Sequence, residues 1–304
     1  MKSVDFLKEQ LKPLVYGLGN LYRISPKNLS EGVDVCRALH NGDIPSTLGK
    51  FSRSGDDPLQ IVREYQLASD TLKSTSAETR FYLSLKPPAL NFNPEHAAAI
   101  VATALQNGHG VHFDSHDYSL TDPTLRLLEQ TMDRNLSANA QAGSWRFSLT
   151  LPSRWKRSIG DAEWVAKRGV RARLVKGEFK ADSSSDETDP KKGFLALIDR
   201  LVGTVPEIAV ATHDYALARE AIARSKGRGS SIVLEVLFGI PIGKMLSLSK
   251  ETGVPITVYV PYGDSLLLYG IRHFLTNPHK LLRLDFPEIV ASPKTKLEKI
   301  VSSL

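Results

Sequence analysis

Charged side chains recur at the ends of short apolar segments, where they could bind an anion. Lys86 ends "FYLSLK", Asp114 ends "GVHFD", and Arg173 alternates with apolar residues in "VRARLVKG". A charged side chain in a strand is seldom buried without a partner, so each of these alone could be solvated or structurally paired. Several cations that face one place would instead bind a carboxylate or a phosphate through charge-assisted hydrogen bonds.

A second group of candidates lies in "ITVYVPYGDSLLLYGIRHFLTNPHK", residues 256–280. The segment begins as an apolar strand that contains Tyr259, turns at Pro-Tyr-Gly, and continues with the pattern of a helix. Tyr269, Arg272 and His273 lie on that predicted helix. These side chains, just beyond the end of a strand, are suited to binding a small anionic ligand.

The familiar catalytic motifs are absent from the sequence. None of the 8 histidines belongs to an HExxH motif and no carboxylate triad has ligand spacing, so no metal site is predicted. There is no GxSxG motif, and the single cysteine, Cys36, lies in a helical region where it is expected to pack. Because acid–base groups are sparse and cations plentiful, we expect a redox cofactor that carries its own chemistry.

The elements that must position these residues alternate regularly from residue 81 onward. Strand-like segments, each followed by a helix-like segment, cover residues 81–86, 110–114, 145–151, 170–177, 207–213, 230–238 and 256–261. Their apolar, β-branched character is typical of parallel strands covered on both faces. A doubly wound open sheet and a (βα)8 barrel both fit this order. The absence of GxGxxG after any strand and the one-sided placement of polar residues favour the barrel.

The first part of the chain has a different pattern. Helical spacing in "PLQIVREYQLASDTLK" (58–73) and turn-forming residues in "HNGDIPSTLGKFSRSGDDP" (40–58) predict helices and connections without a strong strand. The expected organisation is therefore an N-terminal helical region, residues 1–75, followed by an α/β barrel domain, residues 76–304.

The composition is that of an ordinary globular protein of 304 residues, 41% hydrophobic and 24% charged. The N-terminus lacks the apolar core of a secretory signal, and no stretch approaches the roughly 20 apolar residues of a membrane span. A single cysteine suits a reduced, cytoplasmic setting. The net charge of +6 suits an anionic cofactor, peripheral association with a membrane, or simply solubility. No basic run carries interleaved aromatics, so nucleic-acid binding is not expected.

Four blocks of the sequence, in order, resemble the proline dehydrogenase family: "RARLVKGEF", "VATHDYALAREAI", "LEVLFGIPIGK" and "VYVPYGDSLLLYGIRHFL". The resemblance implies a (βα)8 barrel that holds FAD at its mouth. It also implies hydride transfer from proline to the flavin N5, which gives Δ1-pyrroline-5-carboxylate. A quinone or another electron acceptor would reoxidise the flavin.

The resemblance implies roles for single residues around the substrate. Lys86 and Arg272 would bind the substrate carboxylate, and Tyr269 would define the pocket together with Arg272. Leu237 and Tyr259 would pack against the substrate ring. Catalysis would then consist mainly of aligning the substrate C–H bond with the flavin, because a neutral amine that loses hydride needs no strong acid or base.

The resemblance also assigns residues to the cofactor. Arg173 would face the N5 edge of the flavin, and Asp114 would lie near the flavin beside Lys86. The residues expected to bind the cofactor are Arg173, Val175, Lys176, Gly177, Thr212, His213 and Asp214.

Several positions depart from the family pattern. His273 stands where the family has a second arginine, Glu235 where it has glutamine, and Asp214 where it has asparagine. Histidine lacks the planar fork of arginine and is only partly charged near neutral pH, so His273 would be a variant second carboxylate clamp. Three functions therefore remain open: oxidation of proline, oxidation of another cyclic or secondary amino acid, and a non-catalytic barrel that has lost flavin.

Overall fold

A computed structural model of the chain describes residues 25–52, 55–73, 80–138, 146–182, 184–187 and 189–263. Within these ranges the strands form one closed parallel barrel, and α-helices connect successive strands. The predicted α/β class and (βα)8 barrel are confirmed. The alternative of an open, doubly wound sheet is wrong, because the first and last strands pair with each other.

The strands follow one another around the barrel in chain order. They are β1 (Ser46–Lys50), β2 (Phe81–Leu85), β3 (Gly110–Phe113), β4 (Phe147–Pro152), β5 (Arg171–Val175), β6 (Glu207–Val210), β7 (Ser231–Leu237) and β8 (Ile256–Tyr262). The strands predicted from the sequence are β2 to β8, with ends that differ by a few residues. In a closed sheet every strand has two partners, so no edge remains unpaired.

The strand β1 lies in a part of the chain for which the sequence pattern predicts no strand. Its sequence, "STLGK", is short and weakly patterned, but Leu48 pairs with Leu83 of β2 on one side and with Val260 of β8 on the other. The expectation of helices and connections without a strong strand is therefore wrong at β1, because pairing on both sides fixes this strand. The predicted boundary after residue 75 falls between β1 and β2.

The helices also follow the chain in order. They are α1 (Leu29–His40), α2 (Pro58–Thr71), α3 (Pro94–Gln106), α4 (Thr121–Ala138), α5 (Ser158–Arg168), α6 (Pro190–Leu201), α7 (Tyr215–Ser225) and α8 (Gly243–Thr252), with 3₁₀ turns at Pro87–Leu90 and Tyr118–Leu120. Asp57, Asn93 and Asp189 each cap a helix that begins at the next residue, a proline. The cap oxygen accepts a free N–H, and proline fits because the first position needs none. None of the described helices is long and apolar enough to cross a membrane.

The apolar core lies between the strands and the surrounding helices. Phe147, Leu149 and Leu151 alternate along β4, point outward, and are almost completely buried. Phe113 on β3 and Phe194 on α6 are buried in the same layer. Each such side chain contributes about 1.5–3 kcal/mol through burial of apolar surface. This layer holds the barrel together and leaves the inward face of the strands to other side chains.

The helix α1 precedes the barrel strands and covers β1 and β8. A Cβ atom on Gly32 would lie 3.0 Å from Leu48 Cδ1 and 3.4 Å from Tyr262 Cβ, so the helix backbone approaches both strands closely. Cys36 on the same helix is completely buried, and this burial raises the pKa of its thiol to about 12. The structure thus gives Cys36 the packing role that was expected.

Candidate active site at the carboxyl ends of the strands

Four of the predicted site residues meet at the carboxyl-terminal mouth of the barrel. Lys86 directly follows β2, Asp114 directly follows β3, Arg173 lies within β5, and Tyr259 lies within β8. Parallel strands place their carboxyl ends at one rim, so residues far apart in sequence converge there. Direct contacts link these four side chains into one cluster.

Asp114 is the centre of this cluster. Its Oδ2 atom accepts a hydrogen bond from Lys86 Nζ at 2.9 Å. Its Oδ1 atom accepts from Thr150 Oγ1 at 2.9 Å and from the Ser115 backbone N–H at 3.1 Å, and Arg173 Nη1 lies 3.4 Å away. Burial would raise the pKa of this carboxyl, but the nearby cations and hydrogen-bond donors hold it well below its usual range. Asp114 is therefore ionised and fixed in orientation.

Lys86 is held in the same place by two kinds of contact. Its ammonium pairs with Asp114 and lies 4.5 Å from the centre of the Phe51 ring, which is within range of a cation–π interaction. Burial would lower the pKa of Lys86, but the Asp114 carboxylate raises it above the ordinary value. Lys86 is thus a fixed, charged donor at the mouth, and two of its three N–H groups lie outside the bond to Asp114.

Arg173 crosses the barrel interior between Asp114 and Glu235. Its Nε atom donates to Glu235 Oε1 on β7, and its guanidinium lies 4.9 Å from the centre of the Tyr259 ring. Neither β7 nor the end of β3 neighbours β5, so these contacts show that Arg173 points into the barrel. Burial opposes the charge on Arg173, yet the Glu235 and Asp114 carboxylates raise its pKa.

The ion pairs continue toward the opposite end of the barrel. Arg171 Nε donates to Glu207 Oε1 at 2.6 Å, and its Nη2 donates to Glu235 Oε2 at 3.3 Å. Glu207 also pairs with Arg80 at the far rim. Every interior cation of this series has a carboxylate partner. Among the described residues, the mouth is therefore not an uncompensated positive patch, and an anionic ligand that binds Lys86 would have to share it with Asp114.

Tyr259 is seated closely against β1. A Cβ atom on Gly49 would lie 2.3 Å from the Tyr259 hydroxyl and 3.2 Å from Ser84 Cβ, so only glycine fits there. Neither the Tyr259 nor the Ser84 hydroxyl makes a hydrogen bond of regular geometry within the described part of the chain. Gly49 therefore determines where the Tyr259 ring lies beneath Arg173.

The residues predicted to bind the cofactor form a second group on the same rim. Val175 ends β5, and Lys176 and Gly177 follow it. Lys176 Nζ lies 3.6 Å from Asp214 Oδ2, and Lys191 Nζ lies 2.8 Å from the same oxygen. The pKa of Asp214 is held below its usual range by its hydrogen bonds to Lys191 and Leu217, although burial opposes this.

Three of these predicted residues link β6 to α7. Asp214 caps α7 by accepting the Leu217 N–H, and its own N–H donates to Thr212 Oγ1 at 3.2 Å. His213 Nε2 accepts the backbone N–H of Leu237 at 3.0 Å. Burial lowers the pKa of His213, so the ring is neutral. Its hydrogen bond to Leu237 links the end of β6 to the end of β7. Leu237, predicted to contact the substrate, is the last residue of β7 and is partly exposed.

The remaining predicted residues, Tyr269, Arg272 and His273, lie outside the described residues, and their roles stay predictions. Sequence reasoning in turn assigned no role to several side chains that complete the cluster. These are His112, Ser148, Thr150, Arg171 and Glu207. Glu235, already noted as a departure from the family pattern, joins them. Alternation could have found three of them, because His112, Arg171 and Glu235 each lie two residues before a predicted site residue.

The fold resembles that of solved proline utilization A proteins. The protein from Bdellovibrio bacteriovorus, inactivated by N-propargylglycine, has a TM-score of 0.73 at 14% identity over 90% of this chain. A variant from Bradyrhizobium japonicum has a TM-score of 0.64 at 17% identity over 92%. A proline utilization A with proline bound in remote sites has a TM-score of 0.64 at 18% identity over 85%.

This chain spans only 34%, 32% and 31% of those three chains, respectively. At such low identity the likeness establishes a shared barrel fold. No protein-family model matches the sequence, and no curated protein matches it.

Proposed function

We propose that this protein is a flavin-dependent dehydrogenase that oxidises proline to Δ1-pyrroline-5-carboxylate. The observation that carries the proposal is the cluster of Lys86, Asp114, Arg173 and Tyr259 at the carboxyl ends of the strands. A barrel fold shared with proteins described as proline utilization A supports the substrate class. The sequence blocks that resemble the proline dehydrogenase family support the same activity.

The side chains at the mouth fit an anionic cofactor such as FAD. Lys176 and Lys191 are 43% and 59% exposed, so both ammonium groups could turn from Asp214 toward phosphate oxygens. Arg173 lies deeper, and we expect it along the flavin ring system. The Asp214 carboxylate opposes phosphate binding in part, because it neutralises some of the lysine charge. When bound, the flavin would supply the hydride acceptor.

The substrate would be held by its carboxylate. Lys86 has N–H groups beyond its bond to Asp114, and it is already fixed at the mouth, so little entropy is lost when it accepts a second anion. The Tyr259 ring, held by Gly49 on one side and by Arg173 on the other, gives the substrate ring a rigid wall. Arg272, expected from the family resemblance, would complete the carboxylate clamp. These residues bind and orient the substrate, which is what hydride transfer from a neutral amine requires.

The alternative substrate is another cyclic or secondary amino acid. His273 favours it, because histidine replaces an arginine in the carboxylate clamp of the family that the sequence resembles. A quinone or similar acceptor would reoxidise the flavin. The setting would be cytoplasmic, with peripheral contact to a membrane.

The test is the visible spectrum of the purified protein without oxygen, before and after addition of L-proline. An oxidised-flavin spectrum that bleaches with proline supports the proposal. A flavin spectrum that does not change with proline but bleaches with another secondary amino acid supports the alternative substrate. A protein that stays colourless after addition of FAD would show that the proposed function is wrong.

A pair of variants tests the role of Lys86. We expect Lys86→Met to raise the proline concentration for half-maximal bleaching by about 10-fold to 100-fold, because a charge-assisted hydrogen bond is lost. Lys50→Met is the matched control, since Lys50 pairs with Glu64 on the outer side of β1. Equal effects of the two substitutions would show that Lys86 does not bind the substrate.

A further inference from the structure

A buried histidine inside the barrel connects the interior ion pairs to the mouth. His112 on β3 is flanked by two hydroxyls of β4: its Nδ1 atom lies 2.8 Å from Ser148 Oγ, and its Nε2 atom lies 2.7 Å from Thr150 Oγ1. All three side chains are almost completely buried. The donor and acceptor roles in this group follow from what its neighbours can and cannot donate.

The contact with Asp114, nearest the mouth, determines which way the Thr150 hydroxyl donates its proton. The Asp114 carboxylate is ionised and can only accept, so the Thr150 hydroxyl donates its single proton to Asp114 Oδ1 at 2.9 Å. Thr150 Oγ1 must therefore be the acceptor in its contact with His112. It follows that His112 carries its proton on Nε2.

The neutral state of His112 then determines which way the Ser148 hydroxyl donates its proton. Burial lowers the pKa of His112, so the ring is neutral and has one N–H. With that proton on Nε2, the Nδ1 atom accepts from the Ser148 hydroxyl. Ser148 Oγ in turn accepts from Arg171 Nη1 at 3.2 Å. The chain of donors thus runs in one direction, from Arg171 through Ser148, His112 and Thr150 to Asp114.

We propose that His112 is a positioning residue that acts through Thr150 to orient the Asp114 carboxylate, and through it Lys86. A threonine hydroxyl can rotate, but the His112 N–H occupies one lone pair of Thr150 Oγ1 and directs its proton toward Asp114. Asp114 Oδ1 is then held by Thr150 and by the Ser115 N–H, which leaves Oδ2 for Lys86. The effect on substrate binding rests on the proposed function, whereas the hydrogen-bond chain does not.

The first experiment reads the proton on His112 directly. Long-range ¹H–¹⁵N NMR of the full-length protein distinguishes the two neutral histidine tautomers, and the His112 signal is the one missing from His112→Gln. We expect a neutral ring protonated on Nε2 near neutral pH, and loss of this preference in Thr150→Val. A ring protonated on Nδ1, or on both nitrogens, would overturn the proposal.

The second experiment separates positioning from simple packing. Thr150→Val keeps the shape but removes the hydroxyl, and Thr150→Ser keeps the hydroxyl. We expect Thr150→Val to raise the KM for proline by about 10-fold with a much smaller change in kcat, and Thr150→Ser to stay within about twofold of the unchanged protein. Thr131→Val, which removes a buried hydroxyl that donates to the Leu127 carbonyl within α4, is the matched control and should leave KM unchanged.

The two experiments distinguish the possible failures. If Thr150→Val and Thr150→Ser have equal KM values, the positioning role is wrong even if flavin and proline bind. If the tautomer is as expected but the protein binds neither flavin nor proline, the proposed function fails and the substrate-positioning role fails with it. The expected tautomer, together with a higher KM for proline in Thr150→Val than in Thr150→Ser, supports the proposal.

Discussion

The two faces of the barrel strands carry opposite kinds of side chain. On β4, the outward residues Phe147, Leu149 and Leu151 pack in an apolar layer, whereas the inward residues Ser148 and Thr150 make hydrogen bonds inside the barrel. Most (βα)8 barrels fill their interior with layers of branched apolar residues. Here the interior holds ion pairs and hydroxyls instead. Most of the hydrophobic stabilisation therefore comes from the outward face.

This difference suggests that the outward face stabilises the fold and that the inward face orients the groups that bind a ligand. Interior ion pairs lose much of their attraction to desolvation and are weak sources of stability, although removing one partner is costly. They do fix the direction of each charged group at the mouth. Three predictions test whether stability and ligand binding separate in this way.

The largest expected effect comes from the outward face. Phe147→Ala should lower the free energy of unfolding by about 4 kcal/mol, because it removes a fully buried ring and leaves a cavity. The affinity of the folded protein for a ligand at the mouth should not change, since Phe147 points away from the interior. Denaturant unfolding and a ligand titration on the same sample measure both quantities, and a parallel loss of affinity would contradict this separation.

The inward face should give a smaller loss of stability but a change at the site. Glu235→Gln removes the carboxylate shared by Arg171 and Arg173, and we expect a loss of about 3 kcal/mol together with weaker ligand binding at the mouth. Glu163→Gln is the matched control, since Glu163 pairs with Arg200 at an exposed position and should contribute less than about 0.5 kcal/mol. Comparable losses in the two variants would mean that the interior pairs behave like surface pairs.

The smallest effect, taken for one group over one pH unit, concerns two neutral histidines on the outer side of β2. His40 and His109 pack edge-on against Phe81, and burial lowers the pKa of each to about 4. An unfolded histidine titrates near pH 6.5, so protons bind the unfolded chain more readily between about pH 6.5 and 4. The free energy of unfolding should be independent of these groups above pH 6.5 and should fall by about 1.4 kcal/mol per pH unit per histidine below it.

Denaturant unfolding between pH 7.5 and pH 5 measures this slope, to which the buried His112 and His213 contribute in the same direction because burial also lowers their pKa. Asp114 does not contribute there, because its pKa is held well below its usual range and its stabilisation is lost only at lower pH. His109→Gln should flatten the slope by about 1.4 kcal/mol per pH unit. An unchanged slope would show that His109 does not remain neutral in the folded protein.

Regular alternation of strand-like and helix-like segments was enough to predict β2 to β8. The absence of GxGxxG and the one-sided placement of polar residues then favoured the barrel over an open sheet. The alternation was not enough for β1, because "STLGK" forms a strand only through its pairing with β2 and β8. Lys86, Asp114, Arg173 and Tyr259 could be named as candidates because each is a polar residue in or beside an apolar strand. Their roles in binding or catalysis remain to be tested.

The sequence by itself determined the periodicity of the strands, the parity of the polar positions and the absence of familiar catalytic motifs. Only the tertiary structure decided which charges are partners. Arg173 lies 62 residues from Glu235 and 59 from Asp114 in the chain, and no local pattern relates residues so far apart. Closure of the barrel brings them into contact, because eight strand ends must share one narrow interior.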